Sequence, residues 1–259
     1  MNLGDICMQA AAEGARVLRE RYDRPRTIDH KGRIDLVTDA DRASEEAVLR
    51  KLRELAPGVA VLAEESGESG SGKTRFIVDP LDGTTNYAHG VPIFCCTVAA
   101  EESGEVVAGA TIDPTRDEAF SAARGQGAWC NGKRLHASAA TELLQALLCT
   151  GFPYGQGPDL ADMIASFGHL TGLSRGVRRL GSAALDLAYV ACGRLDGFWE
   201  RGLHAWDVAA GKILVEEAGG IVTRFDGSPL DLFGGEIAAS GKGLHAAILR
   251  ELATSTRSR

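Results

Sequence analysis

The stretch that most restricts the fold is Asp79-Pro80-Leu81-Asp82-Gly83-Thr84-Thr85-Asn86-Tyr87, which follows the apolar run Phe76-Ile77-Val78. An apolar β-branched run reads as a buried strand, and the proline fixes a turn between two carboxylates three residues apart. Two aspartates and an intervening carbonyl supply hard oxygen donors of the kind Mg²⁺ takes. Gly83-Thr84-Thr85 would present free amides at the start of a helical turn, so a metal and a phosphate could meet there. Taken alone, the stretch is equally an ordinary Asp-Gly turn with Asp79 as a helix cap.

Other acids favour the metal reading. Glu64 and Glu65 end the preceding strand, and Asp207 follows Trp206 at a helix start. Carboxylates gathered in a partly buried site repel one another, and a divalent cation is the usual remedy. In isolation, Glu64-Glu65-Ser66 and the run Asp35 to Asp41 read as solvent-facing charge or helix caps.

The surrounding chain alternates helix and strand. Leu3, Ile6, Cys7, Ala10, Ala11, Gly14, Val17 and Leu18 recur at helical spacing. A second helix is expected after Asp41, ended by Pro57-Gly58, then a strand over 59–63 and a polar loop over 66–73. Strands are expected at 76–78, 94–99 and 106–112, the last two forming a hairpin through Ser103-Gly104. Beyond Thr141 the pattern predicts strands near Leu147 and Val177 and over 195–199. Helices are predicted after Pro158, over 182–192 and from Trp206 to Gly219-Gly220, with residues 254–259 frayed.

Composition narrows the function. The 28 Lys and Arg against 35 Asp and Glu leave a formal charge of −7, which disfavours nucleic acid as the principal ligand. No stretch approaches a membrane span, and the N-terminus lacks a basic, apolar leader, so a cytoplasmic protein is expected. The six cysteines show no CxxC pair and read as reduced thiols, with Cys95 and Cys96 on opposite faces of a strand.

Two motif matches fail on context. Gly67 to Thr74 fits GxxxxGK[ST], yet Arg75-Phe76-Ile77-Val78 continues as a strand where a P-loop requires a helix. Gly172-Leu173-Ser174-Arg175-Gly176 fits GxSxG with the strand and helix in the wrong order. His89 and His204 beside the acidic motifs read as structural, and Trp129 and Trp199 as packing.

With Trp206-Asp207-Val208-Ala209-Ala210-Gly211 running to Glu217-Ala218-Gly219-Gly220, these motifs stand in an order that resembles the Mg²⁺-dependent, lithium-sensitive inositol monophosphatases of the fructose-bisphosphatase superfamily. The resemblance covers nearly the whole chain. It implies an α/β fold, a layered α/β/α/β/α sandwich, as a single catalytic domain over 1–259. The metal motif would lie in the half up to about 140, with the substrate pocket and Asp207 in the half from 141 on. It further implies a homodimer. Position by position, it assigns Glu64, Asp79 and the Leu81 carbonyl to one Mg²⁺, and Asp79, Asp82 and Asp207 to another, with two or three ions in all. Glu65 would support the metal site, Thr84 with Asp41 would position the attacking water, and the Gly83 and Thr84 amides would hold phosphate. Asp82, Gly181, Ser182, Ala183 and Glu200 would meet a small phosphorylated polyol, although Ser182 could equally be only an N-cap.

Hydrolysis of inositol monophosphate by in-line attack of a metal-activated water is the reading this supports. Alternatives are histidinol phosphate, fructose 1,6-bisphosphate or a nucleotide 3′-phosphate as substrate, with Arg201 beside Glu200 able to admit a more anionic ester. A regulatory partner of transcription machinery is the alternative from another class.

Overall fold

The opening periodicity becomes α1, Leu3–Tyr22, whose buried residues Ile6, Cys7, Ala10, Ala11, Gly14, Ala15 and Leu18 form one stripe. The computed structural model describes residues 2–22, 28–30, 36–153 and 158–257; Asp35 falls outside them. Strands β1, Ile28–His30, and β2, Leu36–Thr38, pair antiparallel and lead into α2, Asp39–Leu55. This helix begins three residues before the expected start. Thr38 caps it, taking the Ala40 N–H on its hydroxyl at 3.1 Å, while its own N–H donates to Asp41 at 2.7 Å. The early acids therefore close a helix end.

The first sheet has eight strands: β3 Ala60–Ala63, β4 Gly67–Ser69, β5 Thr74–Asp82, β6 Cys95–Glu102, β7 Glu105–Asp113, β8 Glu118–Ala123, β9 Gly127–Cys130 and β10 Lys133–Arg134. Their order is β10-β9-β8-β7-β6-β5-β3-β4. The short helix α3, Thr84–His89, follows β5 directly. Strand β4 corrects the expected loop: its polar residues pair antiparallel with β3 as an exposed edge, a position that needs no apolar alternation. The same placement disposes of the P-loop match, because Lys73-Thr74 enters β5. Ser103 and Gly104 both have positive φ, 54° and 88°, as a two-residue hairpin turn requires.

The second sheet runs β12-β11-β13-β15-β14, built from β11 Leu147–Thr150, β12 Gly176–Arg178, β13 Gly197–Arg201, β14 Ile221–Thr223 and β15 Glu236–Ser240. Helices α4 Pro158–Leu173, α5 Ala183–Ala191, α6 Ala205–Glu217 and α7 His245–Arg257 complete the chain. Strand β13 starts two residues later than its apolar run, since Asp196 instead receives the Leu147 N–H at 2.7 Å. The expected fraying is corrected over 254–257, because α7 continues to Arg257 and buries Ser255, whose hydroxyl donates to the Leu252 carbonyl. Residues 258–259 lie outside the described residues.

Packing gives the expected five layers. Helices α1 and α2 cover one face of the first sheet; α5 and α6 lie between its other face and the second sheet; α4 and α7 cover the far side. Cys96 faces the α1 side and Cys95 meets Ala184 and Leu185 of α5, so the pair does split across the sheet. All six cysteines are free thiols, four buried and Cys130 and Cys192 partly so. No described helix is long and apolar enough to cross a membrane.

The middle layer is thin because its contacts are small. A Cβ on Gly109 of β7 would stand 2.8 Å from the Ala210 Cα, and one on Gly211 would stand 2.5 Å from the Leu187 Cβ. Helix α6 thus lies directly on the sheet and on α5. Helix propensity alone would favour replacing Gly211, but overpacking costs about 1–3 kcal/mol and dominates here. Gly211→Val should lower unfolding free energy by about 2–3 kcal/mol in chemical denaturation; an unchanged midpoint would show that the layers have slack.

Candidate active site

The acidic motif works through an irregularity. In a regular strand residues three apart point to opposite faces. In β5, Asp79 stands opposite Thr97 and Asp82 opposite Cys95, so three steps on one strand match two on its partner. This bulge adds one residue and restores the two acids to the same side. Pro80 occupies the irregular segment, its carbonyl taking the Ser44 hydroxyl at 2.7 Å. Asp79 reaches over the turn to accept the Leu81 N–H at 2.9 Å.

Helix α6 brings the third acid. Asp207 lies in its first turn and accepts the His204 N–H at 2.6 Å. One oxygen from each of Asp79, Asp82 and Asp207 lies within 4.8 Å of the others, and Glu64 lies against Asp79. Burial first, then mutual repulsion, holds Asp79 and Asp207 well above the ordinary carboxylate range. Burial also raises Asp82, opposed by the Ser182 hydroxyl at 2.6 Å and the Ala184 N–H at 2.8 Å. Acid-rich, oxygen-only and mutually repelling, this donor set suits a hard divalent cation.

Gly83 links the acids to α3. Its φ of 92° is left-handed, and a Cβ there would stand 2.8 Å from the Ile93 carbonyl oxygen, so only glycine fits. The first helical hydrogen bond runs from the Tyr87 N–H to the Gly83 carbonyl, leaving the Thr84 N–H ahead of the ladder. The Thr84 hydroxyl lies 3.0 Å from Asp41 Oδ1 and 2.9 Å from the Leu81 carbonyl, either of which can take its proton. Asp41 is buried, and desolvation pushes its carboxyl up to about 6 even though Thr38 and Thr84 hydrogen-bond to it. Glu65 stands behind, its N–H donating to Glu45 at 2.9 Å.

A cavity of about 240 Å³ opens on this cluster. Glu64, Asp82, Gly83, Gly181, Ser182, Ala183, Glu200 and Asp207, all expected from sequence, line it. Ser182 does not cap α5 with its side chain; the hydroxyl is spent on Asp82. Arg201 is not available to an anionic ester, being held by Asp162 and Glu236, each at 3.2 Å, with Phe225 beneath it. His204 does reach the cavity, stacked on Trp206 at 4.8 Å, whereas exposed His89 ends α3 away from the lining. Sequence reasoning did not place Gly151, Phe152, Pro153, Arg179, Gly202 or Leu203 in the site; no local pattern marks them, because β11, β12 and β13 meet only in the sheet.

A carboxyl whose folded pKa is raised loses stability as pH rises from its unfolded value through the folded one. With a chelator present, Asp82→Asn should therefore be more stable than the parent at pH 8, and the gap should narrow toward pH 5. Thermal unfolding of both proteins across that range checks this; a gap independent of pH would mean that the Asp82 carboxyl is not raised in the folded protein.

The family model described as "Inositol monophosphatase family" matches residues 2–257. An "Inositol-1-monophosphatase" of Synechocystis sp. is 42% identical over 254 residues, covering 97% of this chain and 88% of the relative. A "Nus factor SuhB" of Pseudomonas aeruginosa is 42% identical over 253 residues, covering 95% and 93%. The solved inositol monophosphatase of Anabaena (Nostoc) sp. superposes with a TM-score of 0.89 at 43% identity, covering 97% of this chain and 95% of that one.

Proposed function

The chain belongs to the inositol monophosphatase family, and from that premise we propose that it hydrolyses inositol monophosphate to inositol and phosphate with Mg²⁺. The observation that carries this reading is the meeting of Asp79, Asp82 and Asp207 oxygens within 4.8 Å, with Asp82 and Asp207 lining the cavity together with Gly83. Bound there, Mg²⁺ supplies Lewis acidity toward the phosphate and makes water a stronger acid. In this reading Glu64, Asp79 and the Leu81 carbonyl hold one ion, and Asp79, Asp82 and Asp207 a second.

The chain's own groups complete the reaction. The Thr84 hydroxyl orients the attacking water and relays its proton to Asp41, which at neutral pH is largely ionised yet basic enough to accept it. The Gly83 and Thr84 amides hold the phosphate oxygens. Glu200, Ser182, Ala183 and Gly181 face the alcohol half. Glu65 supports the metal site. Use of two or three ions, lithium inhibition, a homodimer, a single catalytic domain and residence in the cytoplasm belong to the same proposal.

A second reading, a role beside transcription machinery, is favoured by relatives named Nus factor SuhB at the same level of identity. Pull-down with a metal-ligand variant separates it from catalysis.

Asp207→Asn should abolish Mg²⁺-dependent phosphate release from inositol 1-phosphate. Thr84→Ala should lower kcat by about 10²- to 10⁴-fold with metal affinity nearly kept. Phosphate-release kinetics against Mg²⁺ concentration test both; near-normal turnover of the Asp207 variant would defeat the proposal.

A further inference from the structure

Glu200 is a cavity group that the rest of the protein leaves unsatisfied. Its side chain is only 9% exposed and lines the cavity, yet no described residue forms a hydrogen bond or ion pair with it. Ser182, in the same lining, is by contrast spent on Asp82 at 2.6 Å. A carboxyl enclosed to this degree requires a partner, and a hydroxyl, which both donates and accepts, serves it in either protonation state.

What seats Glu200 there is a missing side chain. Strand β11 pairs parallel with β13, Thr150 standing opposite Trp199, and the Thr150 hydroxyl donates to the Trp199 carbonyl at 2.6 Å. One step further along both strands, Gly151 comes beside Glu200. Trp199 is turned toward α4, where its ring N–H donates to the Ser166 hydroxyl at 3.0 Å, so Glu200 is turned the other way, toward the cavity. Gly151 is buried and lines the same cavity. A Cβ on it would overlap the Glu200 carboxyl, and its three nearest neighbours would all be atoms of that one group. Gly151 is not among the glycines of positive φ, so its backbone would accept alanine. The glycine is therefore needed for room, and the room goes to the Glu200 carboxyl.

We infer that Gly151 is a positioning residue whose lack of a side chain seats the Glu200 carboxyl in the cavity wall, its oxygens left to meet a hydroxyl on the alcohol half of a polyol phosphate. The inference rests on the proposed phosphatase activity and deepens it. A methyl group at 151 swings the carboxyl out of this seat, and the flexible end of a glutamate can move to another rotamer without shifting backbone. An ester whose leaving group has no hydroxyl loses nothing by that change.

The test measures Mg²⁺-dependent turnover of inositol 1-phosphate and of p-nitrophenyl phosphate by the parent, Gly151→Ala, Glu200→Ala and the double variant. Failure of the parent on inositol 1-phosphate refutes the phosphatase reading, and this inference with it; given that activity, only the variants bear on Gly151. Gly151→Ala should raise KM for inositol 1-phosphate about tenfold while changing kcat and the aryl ester rate less than about twofold, and Glu200→Ala should raise that KM at least as much. In the Glu200→Ala background the same alanine at 151 should change KM less than about twofold, because its effect runs through Glu200. An unchanged KM in Gly151→Ala, equal losses on both esters, or a further loss in the double variant would overturn the inference. Should the parent turn over inositol 1-phosphate alone, the double variant decides by itself. If Gly151→Ala fails to fold, recovery of the fold in the double variant supports the inference, and a double variant that also fails to fold overturns it, since the clash would then lie elsewhere.

Discussion

Repulsion among buried carboxyls is the constraint around which this site is built. Asp79 is fully buried, and Asp82, Asp207 and Glu64 crowd it without relief from one another. A fold can keep such a group by opposing the repulsion with donors, by protonating it or by admitting a cation. The first device is present and the geometry suits the last. Asp82 takes the Ser182 hydroxyl and the Ala184 N–H, Asp207 takes the His204 N–H, and the remaining oxygens converge toward one position. Neutral donors soften the charge without cancelling it, which leaves an affinity for a divalent ion.

The five-layer arrangement serves that convergence. The first sheet carries Asp79 and Asp82 at the end of β5; the middle helices carry Asp207 at the start of α6 and Ser182 at the cap of α5; the second sheet carries Glu200 on β13. The cavity therefore lies where three layers meet. Small residues on the shared surfaces, Gly109, Ala210 and Gly211, let α6 approach closely enough for Asp207 to reach the β5 acids. On the proposed reading, metal-facing groups would come mainly from the first sheet and α6 and alcohol-facing groups from α5 and the second sheet, so that different elements would govern substrate preference and metal affinity.

Much of this was legible from local chemistry. Apolar runs marked α1, β6, β7 and α6 closely, because burial of one face imposes a period on the chain, whereas β5 extends well beyond the expected 76–78 and through Pro80 to Asp82. Elements of low apolar content were not: β4 pairs as a polar edge, and the end of α7 is held by packing that its polar residues do not advertise. Ser182 shows the same limit within the site. Its sequence context suits an N-cap, yet an aspartate 100 residues away takes its hydroxyl.

By itself the sequence determined the chemical inventory: hard oxygen donors, a proline turn, a glycine that frees the backbone, and a threonine beside them, all properties of residue type and short spacing. It could not determine on which side of the strand Asp79 and Asp82 point, since regular strand geometry would separate them; the bulge against β6 brings them together. Nor could it show that Arg201 is bound to acids while Arg179 faces the cavity. Those relations join residues far apart in the chain, and their distances exist only once two sheets and the helices between them have packed.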